Sequence, residues 1–332
     1  MMTTAKSTLD LIGNTPILKL QKIVPINSAE VWLKFEAKNP TGSYKDRMAK
    51  SVLENALKRG DVTVGDTVVE YTGGSTGSSL AFVSAALGLK FVAVFSDAFS
   101  SNKQRTMEAF GATVHVEKSN GKGITPELIQ RMKTKAFELS KKGDTFYADQ
   151  FGSTDVTLGY EPMGKEIGNQ LDGEIDVLCA SVGTGGAIMG CWNGLVQNGI
   201  TADVVAFEPL QSPFLTTGKG GAHQVEGIGV GFEPPFLDRL VLADIRAIDQ
   251  ELGFTMCRRL AREEGVFCGA STGLNVMGAL QLAQELGPEK KVVTLACDSG
   301  LKYLGGSLLS LIHISEPTRR YAISYAVFCL KK

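Results

Sequence analysis

Residues 175–180 read IDVLCA and run straight into residues 181–190, SVGTGGAIMG. A short apolar run bounded by a glycine turn reads as a strand covered on both faces, the kind found in parallel sheets. A helical pattern follows through residue 196, so strand, glycine loop and helix form one unit. The unit recurs upstream, where Thr67–Tyr71 (TVVEY) leads into residues 70–77 (EYTGGSTG) and a helix expected over 78–87. Further strands are expected at 91–95, 113–117, 146–148, 204–207 and 291–296. Helices are expected at 102–110, 126–141, 254–264 and 274–285, the second with Leu128, Met132, Ala136, Phe137 and Leu139 on roughly one face. Such alternation implies parallel sheets with helices on both sides. Two series are visible, and poorly periodic stretches such as 209–235 interrupt them. The fold class is therefore α/β: two doubly wound domains with parallel sheets and a cleft between them. The smaller spans 42–155 and the larger 1–41 plus 156–308. Ligands in such sheets bind beyond the carboxyl ends of the strands, where these glycine-rich loops fall.

A chain of 332 residues suits two domains, and 43% hydrophobic with 21% charged residues is globular composition. Lysine plus arginine number 34 and aspartate plus glutamate 35, a net charge of −1 that argues against a nucleic-acid binder. No apolar run approaches the ~20 residues of a membrane span. The N-terminus shows no secretory pattern, so the expected location is cytoplasmic. Six cysteines without a C-x-x-C motif read as buried free thiols. Three widely separated histidines show no metal-ligand spacing. Residues 309–319 read LSLIHISEPTR, which resembles an in-frame translation of a sequencing adapter, so native sequence is expected to stop near Leu308 and 309–332 to be adapter-derived.

Four loops carry chemistry. In residues 39–47, NPTGSYKDR, Pro40 and Gly42 favour a turn and Ser43 reads as a helix cap. Lys45 then falls in the first helical turn, where the helix dipole disfavours its charge and lowers its pKa, as Schiff-base chemistry requires. A plain surface lysine is the alternative. In EYTGGSTG the glycines admit a ligand close to the backbone, and a helix N-terminus expected at 77–79 suits a carboxylate, with Thr72, Ser75 and Thr76 supplying hydroxyls. In SVGTGGAIMG, Gly183, Thr184, Gly185 and Gly186 can wrap a phosphate. This loop also reads as an imperfect dinucleotide fingerprint, with Glu208 as the ribose-binding acid. Residues 297–300, CDSG, put the Ser299 hydroxyl at a strand end, and 226–232 (EGIGVGF) and 269–273 (GASTG) are further glycine-rich loops.

Taken in order over residues 7–308, these loops resemble the cysteine synthase (O-acetylserine sulfhydrylase) family, pyridoxal-phosphate enzymes of the tryptophan-synthase-β-like fold. LIGNTP at 11–16 resembles the family's N-terminal signature. The resemblance makes Lys45 the Schiff-base lysine and general base, and Gly183, Thr184, Gly185 and Gly186 the phosphate cradle. It gives the substrate carboxylate to Thr72, Gly73, Ser75, Thr76 and Gln150, and the pyridine nitrogen to Ser299. Gly227 lies in a loop that responds to substrate. The chain departs from the family at Gly73–Gly74–Ser75, where Ser-Gly-Asn is usual and the asparagine also contacts the cofactor, and at Ala187, where a hydroxyl residue is common.

The implied reaction is β-replacement on an activated serine, O-acetyl-L-serine plus sulfide giving L-cysteine plus acetate. Cystathionine synthesis, cysteine desulfhydration and serine or threonine deamination are alternatives with the same cofactor. A nicotinamide dehydrogenase and a non-catalytic binding protein are more distant ones. The family also implies a homodimer and, for some members, docking of a serine acetyltransferase tail.

Overall fold

The computed structural model describes residues 4–121, 123–306 and 308. The adapter-like stretch, with His313 and Cys329, lies outside the described residues. In chain order the elements are β1 (Ile17–Lys19), β2 (Glu30–Lys34), α1 (Lys45–Arg59), β3 (Thr67–Tyr71), α2 (Ser75–Leu87), β4 (Lys90–Ser96), α3 (Ser101–Ala109), β5 (Thr113–Glu117), α4 (Pro126–Ser140) and β6 (Thr145–Tyr147). There follow α5 (Asp155–Gln170), β7 (Val177–Ser181), α6 (Gly186–Gln197), β8 (Asp203–Pro209), α7 (Phe214–Thr217), β9 (Leu242–Ile248), α8 (Gln250–Arg259), α9 (Ala270–Leu286) and β10 (Lys291–Leu295).

The strands form two sheets. One has the order β5-β4-β3-β6 and is parallel throughout. The other has the order β1-β2-β10-β7-β8-β9, parallel except for β1, which runs antiparallel to β2. This is the α/β doubly wound architecture expected from the alternation. The four-stranded sheet is built within residues 67–147, and we propose 42–155 as the boundary of the smaller domain.

One apolar core spans a face of both sheets, joining Val68 and Phe95 of the smaller to Leu178 and Val293 of the larger. The other face of the larger sheet packs on α8 and α9 through residues such as Val205, Met256 and Leu274. The other face of the smaller sheet packs on α4 through Leu128, Met132 and Ala136. These three follow the i, i+4, i+8 stripe, whereas Phe137, expected with them, is 55% exposed because it lies 100° round the helix from Ala136. Helices α5 and α6 approach almost backbone to backbone. A Cβ at Gly164 would stand 1.9 Å from the Cys191 carbonyl oxygen, and one at Gly194 2.0 Å from that of Glu161.

Several boundaries differ from the sequence reading. Helix α2 starts at Ser75 rather than 78, so Ser75, Thr76 and Gly77 are its first turn. Residues 270–273 of GASTG are the first turn of α9 rather than a loop. The helix expected over 254–264 starts at Gln250 and ends in a π-helical turn, Leu260–Glu264. In the first two cases glycine and hydroxyl residues, poor helix formers in isolation, are held in a first turn by tertiary packing.

Candidate active site

The site is built where β3, β7 and β10 end. Residues 297–299 continue β10 and lie against 42–44: the Tyr44 N–H donates to the Cys297 carbonyl at 3.0 Å and the Ser299 N–H to the Gly42 carbonyl at 2.9 Å. Asn275, buried in α9, spaces β7 from β10. Its side-chain oxygen accepts from the Ser181 N–H at 2.7 Å, and its amide nitrogen donates to the Leu295 carbonyl at 2.9 Å.

Lys45 is fixed by its neighbours. The Asp46 carboxylate accepts from the Thr41 N–H at 2.8 Å and the Thr41 hydroxyl at 2.6 Å, closing the turn before α1. Arg47 is locked into a buried ion cluster with Glu36 and Glu166. The Ser43 hydroxyl oxygen accepts from the Lys45 N–H at 3.2 Å. Lys45 is half-buried, its ammonium 4.8 Å from the centre of the Tyr44 ring. Loss of water pushes its pKa down to about 8, against the opposing pull of the Asp298 carboxylate. The Cys297 thiol is itself pushed up to about 12 by burial and stays neutral.

Lys45 lines the same cavity as Ser181, Gly183, Thr184, Gly185 and Ala187. Gly185 sits at φ +86°, and a Cβ there would lie 2.7 Å from the Leu237 nitrogen. A Cβ on Gly183 would come within 2.4 Å of the Gly227 carbonyl oxygen, so the 226–232 loop seats directly on this turn. Helix α6 begins at Gly186 and directs its N-terminus into the turn. The Thr184 hydroxyl oxygen accepts from the Gly186 N–H at 3.2 Å. The buried Ser181 hydroxyl has no partner among the described residues. A lysine amine facing glycine-turn amides and an orphaned hydroxyl fits an aldehyde that carries a phosphate, and so fits pyridoxal phosphate.

The Thr72–Thr76 loop closes the far side. The Thr72 hydroxyl oxygen accepts from the N–H groups of Gly74 and Gly77 at 2.9 and 3.0 Å. The Phe99 ring would be 3.0 Å from a Cβ on Gly73, and Gly74 takes φ +124°. The Thr76 hydroxyl donates to the Gln150 side-chain oxygen at 2.8 Å, and the Gln150 amide donates to the Tyr71 carbonyl at 3.0 Å. Glu70 holds this pairing from beneath, its two carboxylate oxygens accepting from the Gln150 and Tyr71 N–H groups at 2.9 and 3.0 Å. Burial pushes the Glu70 carboxyl up to about 8. The Ser75 hydroxyl donates to Asp298 at 3.4 Å. The Ser299 hydroxyl oxygen accepts from the Leu301 N–H at 3.3 Å, leaving its own proton to donate. Lys45, Ser75, Gln150, Gly183–Gly186, Gly227 and Ser299 are thus brought to one place from six segments.

Glu208, the residue considered for a ribose, is spent elsewhere. Its carboxylate accepts from the N–H groups of Leu215 and Thr216 at 2.6 and 2.9 Å and from the Thr216 hydroxyl at 2.7 Å, capping α7. A group of charges beside the pocket escaped the sequence reading. Asp298 accepts from the Tyr303 hydroxyl at 2.8 Å, and Lys103, Glu226 and Lys302 complete the group. Burial shifts Asp298 up and Lys302 down, toward their neutral forms. The one local signal was Asp298 itself, adjacent to Ser299 in CDSG.

Residues 8–298 match the family model described as pyridoxal-phosphate dependent enzyme. The chain belongs to this pyridoxal-phosphate-dependent family. It is 37% identical over 304 residues to a cysteine synthase of Staphylococcus aureus, covering 90% of this chain and 96% of the relative. Among solved structures it superposes on O-ureido-L-serine synthase with a TM-score of 0.86 at 33% identity, covering 97% of this chain and 100% of the other. The O-acetylserine-dependent cystathionine β-synthase of Helicobacter pylori gives a TM-score of 0.85 at 31% identity, covering 93% and 100%. Pyridoxal phosphate is the cofactor of this family, and the fold is that of its cysteine-synthase-like members.

Proposed function

We propose that the chain catalyses β-replacement on O-acetyl-L-serine by sulfide, giving L-cysteine and acetate. The observation that carries this reading is the shared cavity: the Lys45 amine and the 183–185 turn face one another, with the Thr72–Thr76 loop tied to the same place through Ser75 and Asp298. Pyridoxal phosphate, when bound, supplies an electron sink for the charge left by a broken Cα–H bond. Gly183–Gly186 and the Ser181 hydroxyl hold its phosphate, and the Ser299 hydroxyl its ring nitrogen. Lys45 Nζ holds the cofactor and, once released, takes the Cα proton, for which an amine with a pKa near 8 is suited. Thr72, Gly73, Ser75, Thr76 and Gln150 hold the amino-acid carboxylate at the first turn of α2. That grip aligns the Cα–H bond with the Lys45 amine. Acetate leaves as a stable anion and asks no side chain for a proton.

A second reading keeps the site and changes the nucleophile. Ser75 stands where the cysteine synthase pattern has asparagine, and its hydroxyl turns to Asp298. The similar O-ureido-L-serine synthase and cystathionine β-synthase support an amino-acid thiol or another small nucleophile in place of sulfide. A cytoplasmic homodimer, with docking of a serine acetyltransferase tail, belongs to this proposal too.

The test is product analysis by mass spectrometry, with O-acetylserine offered first sulfide and then an amino-acid thiol. Cysteine from sulfide supports the first reading. A thioether formed with only the thiol moves the assignment to the second, and no product from either sinks both. Lys45→Ala should lower turnover by roughly a thousandfold or more while leaving the circular dichroism spectrum unchanged.

A further inference from the structure

Lys103 carries its charge into a position only 2% exposed, and three segments meet on it. Its stem lies against the substrate loop: a Cβ on Gly74 would fall 2.2 Å from Lys103 Cδ and 2.7 Å from its Cβ. Its ammonium pairs with Glu226, the first residue of the EGIGVGF loop. It also lies 4.6 Å from the centre of the Tyr303 ring and 3.5 Å from the Tyr303 hydroxyl. Tyr303 donates to Asp298, which accepts in turn from Ser75. Just before α3, the Ser100 hydroxyl donates to the Lys302 carbonyl at 3.0 Å, docking this helix on the turn after β10.

Beyond this pair the Glu226 loop is anchored by the buried Ile228 and by the Phe232 ring, 5.7 Å from that of Phe151. Gly227, Gly229 and Gly231 all have positive φ. The Gly229 N–H donates to the Val182 carbonyl at 3.0 Å, and the Gly229 carbonyl meets His223 Nε2 at 2.9 Å. A buried ammonium is costly to leave unpaired, so Lys103 and Glu226 move as a unit or not at all. One end of that unit supports Gly74 and the other opens the loop that seats on Gly183.

We propose that Lys103 is a positioning residue that couples the Thr72–Thr76 loop to the Glu226–Phe232 loop, so that the amino-acid carboxylate is gripped fully only while the Lys103–Glu226 pair is intact. This rests on the reading of Thr72–Thr76 as the carboxylate loop. The test compares Lys103→Met, Lys103→Arg and Glu226→Gln with the wild type, all loaded with pyridoxal phosphate. Two readouts are taken: amide hydrogen exchange over residues 226–231 without substrate, and steady-state kinetics with O-acetylserine.

Lys103→Met should speed exchange in the loop and raise KM about tenfold while changing kcat less than about threefold, the pattern of a lost grip rather than lost chemistry. Glu226→Gln should speed exchange in the same way, and Lys103→Arg should restore both readouts. Unchanged exchange in Lys103→Met and Glu226→Gln overturns the coupling, as does a KM that Lys103→Arg fails to rescue. Faster exchange in a protein whose wild type turns over no amino acid overturns the substrate assignment and leaves the coupling between the loops standing.

Discussion

Two groups of buried charge flank α1, and they are finished to different degrees. Under the N-terminal segment, Arg47 is clamped by Glu36 at 2.7 and 2.8 Å and by Glu166 at 2.8 and 2.7 Å. Lys34 donates to Glu166 and the Thr15 carbonyl at 2.7 Å and to Gln170 at 3.0 Å. Beside the pocket, by contrast, Asp298 Oδ1 and Lys302 Nζ are buried with no partner among the described residues. A closed network rigidifies, and an open one retains polar atoms that a ligand or a moving loop can claim. The first group holds the scaffold that aims Lys45, and the second borders the site where substrate is proposed to act. The LIGNTP motif belongs to the first group. The Gly13 N–H donates to Asn39 at 2.8 Å, the Asn14 N–H to Glu166 at 3.0 Å, and the Thr15 hydroxyl to Glu36 at 2.6 Å.

The largest expected effect tests the closed group. Arg47→Met leaves the buried Glu36 without a cation and Glu166 with Lys34 alone, and should cost about 3–5 kcal/mol in urea-induced unfolding. A wild-type midpoint would erase the distinction between the two groups. Asp298→Asn tests the open group. It should change stability by less than about 1 kcal/mol, because one of its oxygens already lacks a partner. Removing its negative charge also withdraws support from the Lys45 ammonium and should move the Lys45 pKa below its present value of about 8. The pH dependence of pyridoxal phosphate capture by the cofactor-free chain then shifts to lower pH, and a destabilised variant with an unmoved profile would contradict the comparison.

A further effect is in acid. Burial alone would raise the Glu166 carboxyl, but the hydrogen bonds and charge of Arg47, together with Lys34, bring it down to about 2. A depressed carboxyl contributes stability that is present above its unfolded value near 4.5 and is lost as pH falls toward 2. Glu166→Gln should therefore flatten the stability–pH slope between about 5 and 2 by up to one proton, read from unfolding midpoints across that range. A slope identical to wild type would mean that the closed group is not what holds the fold in acid.

What was legible in the sequence was local. The apolar runs at 68–71 and 177–181 are buried strands, and periodicity reports that without any long-range information. Strands β1, β2 and β9 went unread. Strand β1 has only three residues, and β9 is a sheet edge with mixed exposure, so neither shows a clean period. The loop motifs were readable because their function demands particular residues at fixed spacing: a lysine after a turn, glycines before a helix.

The sequence by itself determined the α/β alternation, the family and the segment that presents Lys45, because each depends on residues within a few positions of one another. Tertiary structure alone decided that α2 begins at Ser75, that the Ser75 hydroxyl meets Asp298, and that Lys103 meets Glu226 and Tyr303. These contacts join residues 123 to 223 positions apart. Burial then sets whether each group is charged. Desolvation and pairing depend on what surrounds a side chain in space, and no local pattern encodes that.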